Sequence, residues 1–237
     1  MKVYWFGISD CGLLSSSAFL DPSPSYERVK QLSPRGFNDN FALCPALRDT
    51  FHNTFDLTLP FEYSLTGFKE FKEIKTLAQT QVFFEEMVHL RDREKRLMNL
   101  NFHYNFFCEE PCMIDYGQAR MTDNNFVNNT MMLPGRFDIS KWSRPLNCSF
   151  LIKKDVNDLN WKMYDVYSQI RFLTKEKIEF VKFYPSRDIN EILSDYMQIR
   201  HNKGKKVWQL QKYYDIFKKT KIKKYLMKKI KENILEE

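Results

Sequence analysis

Short stretches in which apolar and polar residues alternate recur along the first 185 residues of the chain. In the clearest of them, residues 99–107, Phe102, Tyr104 and Phe106 fall on one face of a strand, and three polar side chains fall on the other. Alternation with a period of two is typical of a strand that has one buried and one solvated face. We therefore expect antiparallel sheets in this part of the chain, with His103 on a solvated face.

Six further stretches have strand character and are separated by turn residues; they are residues 2–7, 56–65, 127–133, 147–154, 166–173 and 177–184. The chain also holds 21 Phe, 12 Tyr and 4 Trp, which is enough aromatic area for a large core. The pattern predicts an α+β fold. In it, residues 1–185 form a β-rich body, either an antiparallel sandwich or a jelly-roll-like barrel.

Helical signals replace the strand pattern after Pro185. Ser186 is a candidate N-cap, and Gly204 stands where the first helix is expected to stop. Two apolar stripes at helical spacing follow: Val207, Leu210, Tyr214 and Phe217, then Ile222, Leu226, Ile230 and Ile234. Because the second stripe is rotated away from the first, we expect the helix to bend or break near residues 219–220. Residues 186–237 are therefore predicted to form a helical arm.

The positive charge of the chain is concentrated in this arm. Residues 200–237 carry 13 basic and 4 acidic residues, a net charge of +9, whereas residues 1–199 carry 24 and 26, a net charge of −2. Nine lysines form the predicted binding face: Lys205, Lys206, Lys212, Lys218, Lys219, Lys221, Lys223, Lys224 and Lys228. The charge predicts an acidic macromolecule as partner, either a nucleic acid or an acidic protein surface.

Two interpretations of the arm are open at this point. The amphipathic helices can dock on the body and leave their lysines in water, or they can bind the acidic partner. Because lysine outnumbers arginine, attraction to a nucleic-acid backbone is favoured over reading of bases.

A tryptophan and an arginine in residues 126–150 form a candidate ligand corner. Trp142 offers an indole face for stacking, and Arg144 offers a guanidinium for a phosphate or carboxylate. The alternative, which we favour, is a corner of the core in which Trp142 plugs the sheet and Arg144 binds loop carbonyls.

His103 is the remaining member of this candidate corner. A facial metal site requires two histidines and a carboxylate, but residue 105 is Asn, and none of the four histidines stands in a His-x-Asp or His-x-Glu sequence. Cys108 and Cys112 lack a second pair of ligands at zinc spacing. We predict no metal and no cofactor.

The sequence has no motif of a known class of active site. A nucleophile elbow, a Walker A loop, a dinucleotide-binding glycine pattern and a zincin motif are all absent. The five cysteines are predicted to be free thiols, and no window approaches the ~20 apolar residues of a membrane span. A non-enzymatic protein of the cytosol is the expectation.

Two segments resemble uncharacterised proteins of large contractile-tailed bacteriophages. The resemblance covers roughly residues 40–185 and depends on these elements: Cys44-Pro45, Asp49, Pro60, Pro134-Gly135, Trp142 and Arg144-Pro145. It implies a phage origin, with residence in the host cytoplasm or the virion, and implies no catalytic activity. Two alternatives to a nucleic-acid or acidic-protein binder remain: a ligand-binding or metal-dependent enzyme with a cavity around His103 and Arg144, and a virion component whose arm is an assembly contact.

Overall fold

The computed structural model describes residues 1–9, 16–32, 41–68, 75–76, 88–92, 94–141, 145–146, 148–193, 210–219 and 222–235. Within these ranges the chain is α+β and rich in strands, and its sheets are mostly antiparallel. No helix in the same ranges combines the length and the apolarity that a membrane crossing requires.

The described strands belong to four sheets. The strands are β1 (Lys2–Ser9), β2 (Ser23–Pro24), β3 (Thr54–Thr58), β4 (Tyr63–Thr66), β5 (Lys75–Thr76), β6 (Val88–Asp92), β7 (Leu97–Leu100), β8 (Phe102–Phe107), β9 (Met113–Gln118), β10 (Thr130–Met132), β11 (Gly135–Asp138), β12 (Cys148–Ile152), β13 (Leu159–Trp161), β14 (Val166–Phe172) and β15 (Glu179–Lys182). Their orders are β11-β9-β14-β3-β2, β10-β12-β7-β6, β13-β4-β5 and β15-β1-β8. These strands do not show a closed jelly roll. Among their pairings, β1 with β15 is parallel.

Six α-helices and two short 3-10 helices, Ser16–Ala18 and Phe41–Leu43, accompany the sheets in the described ranges. The α-helices are α1 (Ser25–Gln31), α2 (Pro45–Thr50), α3 (Asn125–Asn129), α4 (187–193), α5 (Leu210–Lys219) and α6 (Ile222–Lys231). Pro45 stands at the start of α2, where its missing N–H and fixed φ cost nothing. α5 ends at Lys219 and α6 begins at Ile222, and the bend or break expected near residues 219–220 falls where residues 220–221 lie outside the described ranges.

The main core lies between the sheets and is built from aromatic side chains. Phe102, Tyr104 and Phe106 all belong to it, as their alternation predicts. Trp5 stacks on Tyr104 with 5.4 Å between ring centroids. Contacts of this kind add to the stabilisation that burial of the rings provides.

The opposite face of β8 is also buried, so the prediction of a solvated His103 is wrong. His103 is 3% exposed and Asn105 is fully buried. The reason is that sheet β15-β1-β8 is covered on both faces, and the alternation of β8 separates two cores rather than core from water. The second core consists of Tyr4, Phe6, Phe107, Phe183, Ile189, Leu193, Phe217, Leu226, Met227 and Ile230.

The C-terminal helices supply the cover for this second face. Leu226 and Ile230, from the second predicted stripe, are buried against the sheet, and Tyr214 and Phe217 from the first stripe are buried as well. The chain then returns to the edge of β15, where the Leu235 N–H donates to the Lys182 carbonyl at 3.1 Å. The described parts of α5 and α6 are thus docked on the body.

Two of the predicted strands differ from the structure: one begins as a helix, and the other is divided in two. Residues 127–133 begin as helix α3, because the Asn124 side chain accepts a hydrogen bond from the Val127 N–H and caps the helix. Strand β10 follows only from Thr130. Residues 56–65 are interrupted at Pro60, so β3 and β4 enter different sheets.

Candidate functional site

Docking of the C-terminal helices decides which predicted lysines reach solvent. In α5 Lys212 is exposed, and in α6 Lys224 and Lys228 are exposed while Lys223 is half-buried. The side chains of Lys218 and Lys219 are not described, although both residues belong to α5. The predictions for Lys205, Lys206 and Lys221 lie outside the described residues.

Several lysines of α6 bind the body rather than project freely. Lys223 donates to the carbonyl of Glu109, and Lys231 pairs with the Glu109 carboxylate. Lys229 lies 2.9 Å from the Asp188 carboxylate, and the hydrogen bond between them raises the pKa of Lys229. The positive charge therefore helps to dock α6 on the β8–β9 loop and on α4.

Lys224 and Lys228 line a groove beside α6, and the other charged residues of its lining are Lys223, Lys231, Glu109 and Glu232. Its volume is about 740 Å³, and Met227 contributes to its wall. Lys228 has a weak partner in Glu232 at 3.8 Å. Among the described residues, no carboxylate lies within ion-pair distance of Lys224 or Lys212. This groove and the neighbouring exposed lysines are called the lysine surface below.

His103 lies on the face of β8 that carries Phe107 of the second core, in register with Ile8 of β1. Its burial removes it from any surface corner, and in the described parts of the chain no group of three or more His, Cys, Asp or Glu is placed to hold a metal ion. Trp142 and Arg144 lie outside the described residues, so both interpretations of that corner remain predictions.

Cys44, Cys108, Cys112 and Cys148 are free thiols, as predicted, and Cys11 lies outside the described residues. Cys108 and Cys112 are buried on either side of the β8–β9 loop. The hydrogen bond between the two thiols and burial both raise the pKa of Cys108. The same hydrogen bond lowers the pKa of Cys112, and burial opposes this effect without reversing it. The pair supports the loop to which α6 docks.

A second charged cavity lies on the outer face of the five-stranded sheet, and the sequence did not indicate it. The cavity measures about 550 Å³, and Arg120, Arg136 and Arg171 are among the residues that line it. Side chains of cross-strand partners share a face. Arg136 of β11 pairs with Asp115 of β9, and Arg171 of β14 pairs with the same aspartate in register.

The next row of this face has a hollow at its centre. Gln169 of β14 stands opposite Gly117 of β9 on one side and Asp56 of β3 on the other. A Cβ atom added at Gly117 would meet Pro134 at 3.7 Å, which is ordinary van der Waals contact, so the glycine leaves open space above the strand.

A buried polar network holds one of the arginines in place. The Asp56 carboxylate, 2% exposed, accepts hydrogen bonds from Arg28 at 2.7 Å, from Ser25 at 2.6 Å and from Gln169 at 2.9 Å. The side-chain carbonyl oxygen of Gln169 in turn accepts a hydrogen bond from the Arg120 backbone N–H at 3.0 Å. Every member of the network has a partner, as burial in low dielectric requires.

Arg28 also fixes the backbone next to Arg120. It donates to the carbonyls of Arg120, at 3.0 Å, and of Met121. Met121 has a φ of 52°, a left-handed conformation that is uncommon for a non-glycine residue. The chain is thus held in a strained turn, and strained turns occur frequently at binding sites.

The arginines of the cavity differ in how their charge is balanced. Asp115 binds Arg136 through two hydrogen bonds of 2.5 and 2.9 Å and raises its pKa. Burial, and then repulsion from Arg171, lower the pKa of Arg120. In the described parts of the chain no carboxylate forms an ion pair with Arg120 or Arg171, although Asp115 lies across from Arg171 in the sheet. This cavity is called the arginine pocket below.

Alternating polar residues were the available signal for this pocket. Asp115 and Gly117 alternate with buried residues in β9, and Arg171 stands between the buried residues Ile170 and Phe172 in β14. What the sequence lacks is the register that brings these strands together. Comparisons with models of protein families, with curated proteins and with solved structures find no match for this chain.

Proposed function

We propose that this chain is a non-enzymatic binding protein whose lysine surface attaches to the phosphate backbone of a nucleic acid. The observation that carries the proposal is the orientation of α5 and α6. Their apolar residues are buried on sheet β15-β1-β8, while Lys212, Lys224 and Lys228 face solvent. Because the helices are docked on the body, the backbones of these lysines have fixed positions, and their ammonium groups form a positive surface.

The spacing of the exposed lysines supports a backbone contact. Lys224 and Lys228 are four residues apart on α6, which corresponds to a rise of about 6 Å. One strand of duplex DNA carries a phosphate about every 3.4 Å along its axis. Two lysines on one helix face can therefore contact nearby phosphates of one strand. Lysine, a flexible point charge, suits such contacts better than it suits reading of bases.

The body is proposed to be a sandwich of antiparallel sheets that serves as the support for these helices. Rings from different sheets meet in its core: Phe106 of β8 lies 6.1 Å from Phe172 of β14, and Phe150 of β12 lies 6.3 Å from Tyr167 of β14. The resemblance of residues 40–185 adds a phage origin to the proposal, with action in the host cytoplasm or in the virion.

The salt dependence of DNA binding tests this proposal. We expect the full chain to bind a fluorescent DNA duplex, with an affinity that falls steeply with salt. The double variant Lys224→Gln and Lys228→Gln should reduce the slope of log affinity against log salt by about 0.9 for each lysine that contacts a phosphate. Fluorescence anisotropy at several salt concentrations measures the slope.

The matched control removes two exposed lysines of the body, Lys154→Gln and Lys175→Gln, and so changes the net charge equally. The control should keep the slope of the wild type. Equal slopes in both double variants would contradict the proposal. Binding to polyglutamate in place of DNA, lost in the α6 variant, would assign the lysine surface to an acidic protein instead.

A further inference from the structure

We propose that the arginine pocket on the outer face of the five-stranded sheet binds a small molecule that carries a phosphate monoester. The site is separate from the lysine surface, and it involves neither His103 nor the 142–145 corner. The volume of the pocket, about 550 Å³, lies within the range of small-molecule sites.

The charge of the pocket matches a dianion. Arg120, Arg136 and Arg171 face one acidic lining residue, Asp115, so the lining has a net charge of +2. A phosphate monoester carries a charge of about −1.5 to −2 at pH 7. A ligand with a single carboxylate would carry a charge of about −1 and would leave one guanidinium group of the pocket without a compensating charge. Asp115 is already engaged with Arg136, so Arg120 and Arg171 remain to bind the ligand.

Neither Arg120 nor Arg171 forms an ion pair with a described carboxylate, and Arg120 is held in place without a ligand. Gln169 holds the backbone of Arg120, and the Arg120 guanidinium lies over the Phe51 ring at 5.0 Å. Arg171 extends from a central strand of the sheet. Repulsion between the charges of Arg120 and Arg171 opposes folding, and an anion bound between them removes that repulsion. Guanidinium groups suit phosphate because they donate two parallel hydrogen bonds.

The floor of the pocket leaves room for the phosphate. Gly117 lies opposite Gln169 in the sheet, and Arg171 lies two residues further along the strand of Gln169. The missing side chain of Gly117 creates the hollow. Its φ is not in the left-handed region, so a strand residue can replace it without backbone strain. Gly117→Val therefore blocks the site sterically and leaves its charges unchanged.

Calorimetric titration of the full chain with glycerol 3-phosphate in a phosphate-free buffer tests the site. We expect one equivalent to bind, and we expect Arg171→Gln, Arg120→Gln and Gly117→Val each to weaken binding about tenfold or more, because each removes charge-assisted hydrogen bonds or the space for them. Arg187→Gln, on the exposed surface of α4, should bind like the wild type. Thermal unfolding confirms that each variant is folded.

Four results would overturn the proposal. They are the absence of saturable binding, binding unaffected by Arg171→Gln in a folded protein, equal affinity for succinate, and displacement of glycerol 3-phosphate by duplex DNA. The last result would make the pocket part of a nucleic-acid surface. Because the α6 lysine variant should keep the affinity for glycerol 3-phosphate, failure of the lysine surface and failure of the pocket can be distinguished.

Discussion

The lysine surface and the arginine pocket are both positively charged, but their charge is held in different ways. Lys212, Lys224 and Lys228 extend from helices into water, where each ammonium group can move and is screened by salt. Arg171 lies on strand β14 and Arg120 lies in the bend that follows β9, where a buried network fixes its backbone. Mobile charge suits a long polyanion of any sequence, whereas fixed charge selects a ligand by shape. The same sign of charge thus predicts two kinds of partner.

The largest expected effect concerns the docking on which the lysine surface depends. Phe6 is fully buried, and its ring lies 5.0 Å from that of Phe183 in the second core. Phe6→Ala should lower the free energy of unfolding by about 3–5 kcal/mol, as loss of a large core ring does. Urea unfolding measures this, with Tyr184→Ala, an exposed ring, as the control. An unchanged midpoint for Phe6→Ala would contradict docking of the helices.

An intermediate effect is expected from the buried network behind the arginine pocket. Asp56→Ala leaves Arg28 without its carboxylate in a site where Asp56 is 2% exposed and Arg28 is 20% exposed. Breaking such a pair should cost about 3 kcal/mol of unfolding free energy. Asp115→Ala is the matched control, because its pair with Arg136 is exposed to water and should cost much less. Equal losses in urea unfolding would show that the network does not fix the pocket.

The smallest expected effect is a change with pH in the free energy of unfolding, at the contact between β11 and α5. Asp138 ends β11, and its backbone N–H donates to the Tyr214 hydroxyl of α5 at 2.8 Å. Burial tends to raise the pKa of the Asp138 carboxyl, but hydrogen bonds from Lys141 and Ser140 outweigh it and lower this pKa below its ordinary value. The carboxylate therefore stabilises the fold at neutral pH, and this contribution is lost as the pH falls below about 4, through the folded pKa.

Asp138→Asn removes this dependence. The difference in unfolding free energy between wild type and Asp138→Asn should be largest at pH 7 and should shrink toward pH 3. Urea unfolding at several pH values measures it, with Glu191→Gln on the surface of α4 as the control. A difference that grows on acidification would show that the sign of the pKa shift is wrong.

Local patterns in the sequence indicated most of the elements but not their neighbours. The alternation around Phe102, Tyr104 and Phe106 located β8 and its core face, and the apolar stripes located α5 and α6. The failure at His103 has a physical cause: alternation reports that two faces differ, and here both faces are buried. The arginine pocket joins residues of β3, β9, β11 and β14, and no local pattern encodes that register.

The parallel pairing of β1 with β15 has a consequence for the order of synthesis. β1 lies between β8 and β15, so β1 cannot be fully paired until the strand that begins at Glu179 has been made. At about 5–20 residues per second, that wait lasts on the order of ten seconds or longer. During this time the apolar edge of β1 is open to pairing with other chains. Productive folding is therefore a late event, and a supply of chaperones that cover exposed strand edges should raise the yield of folded protein.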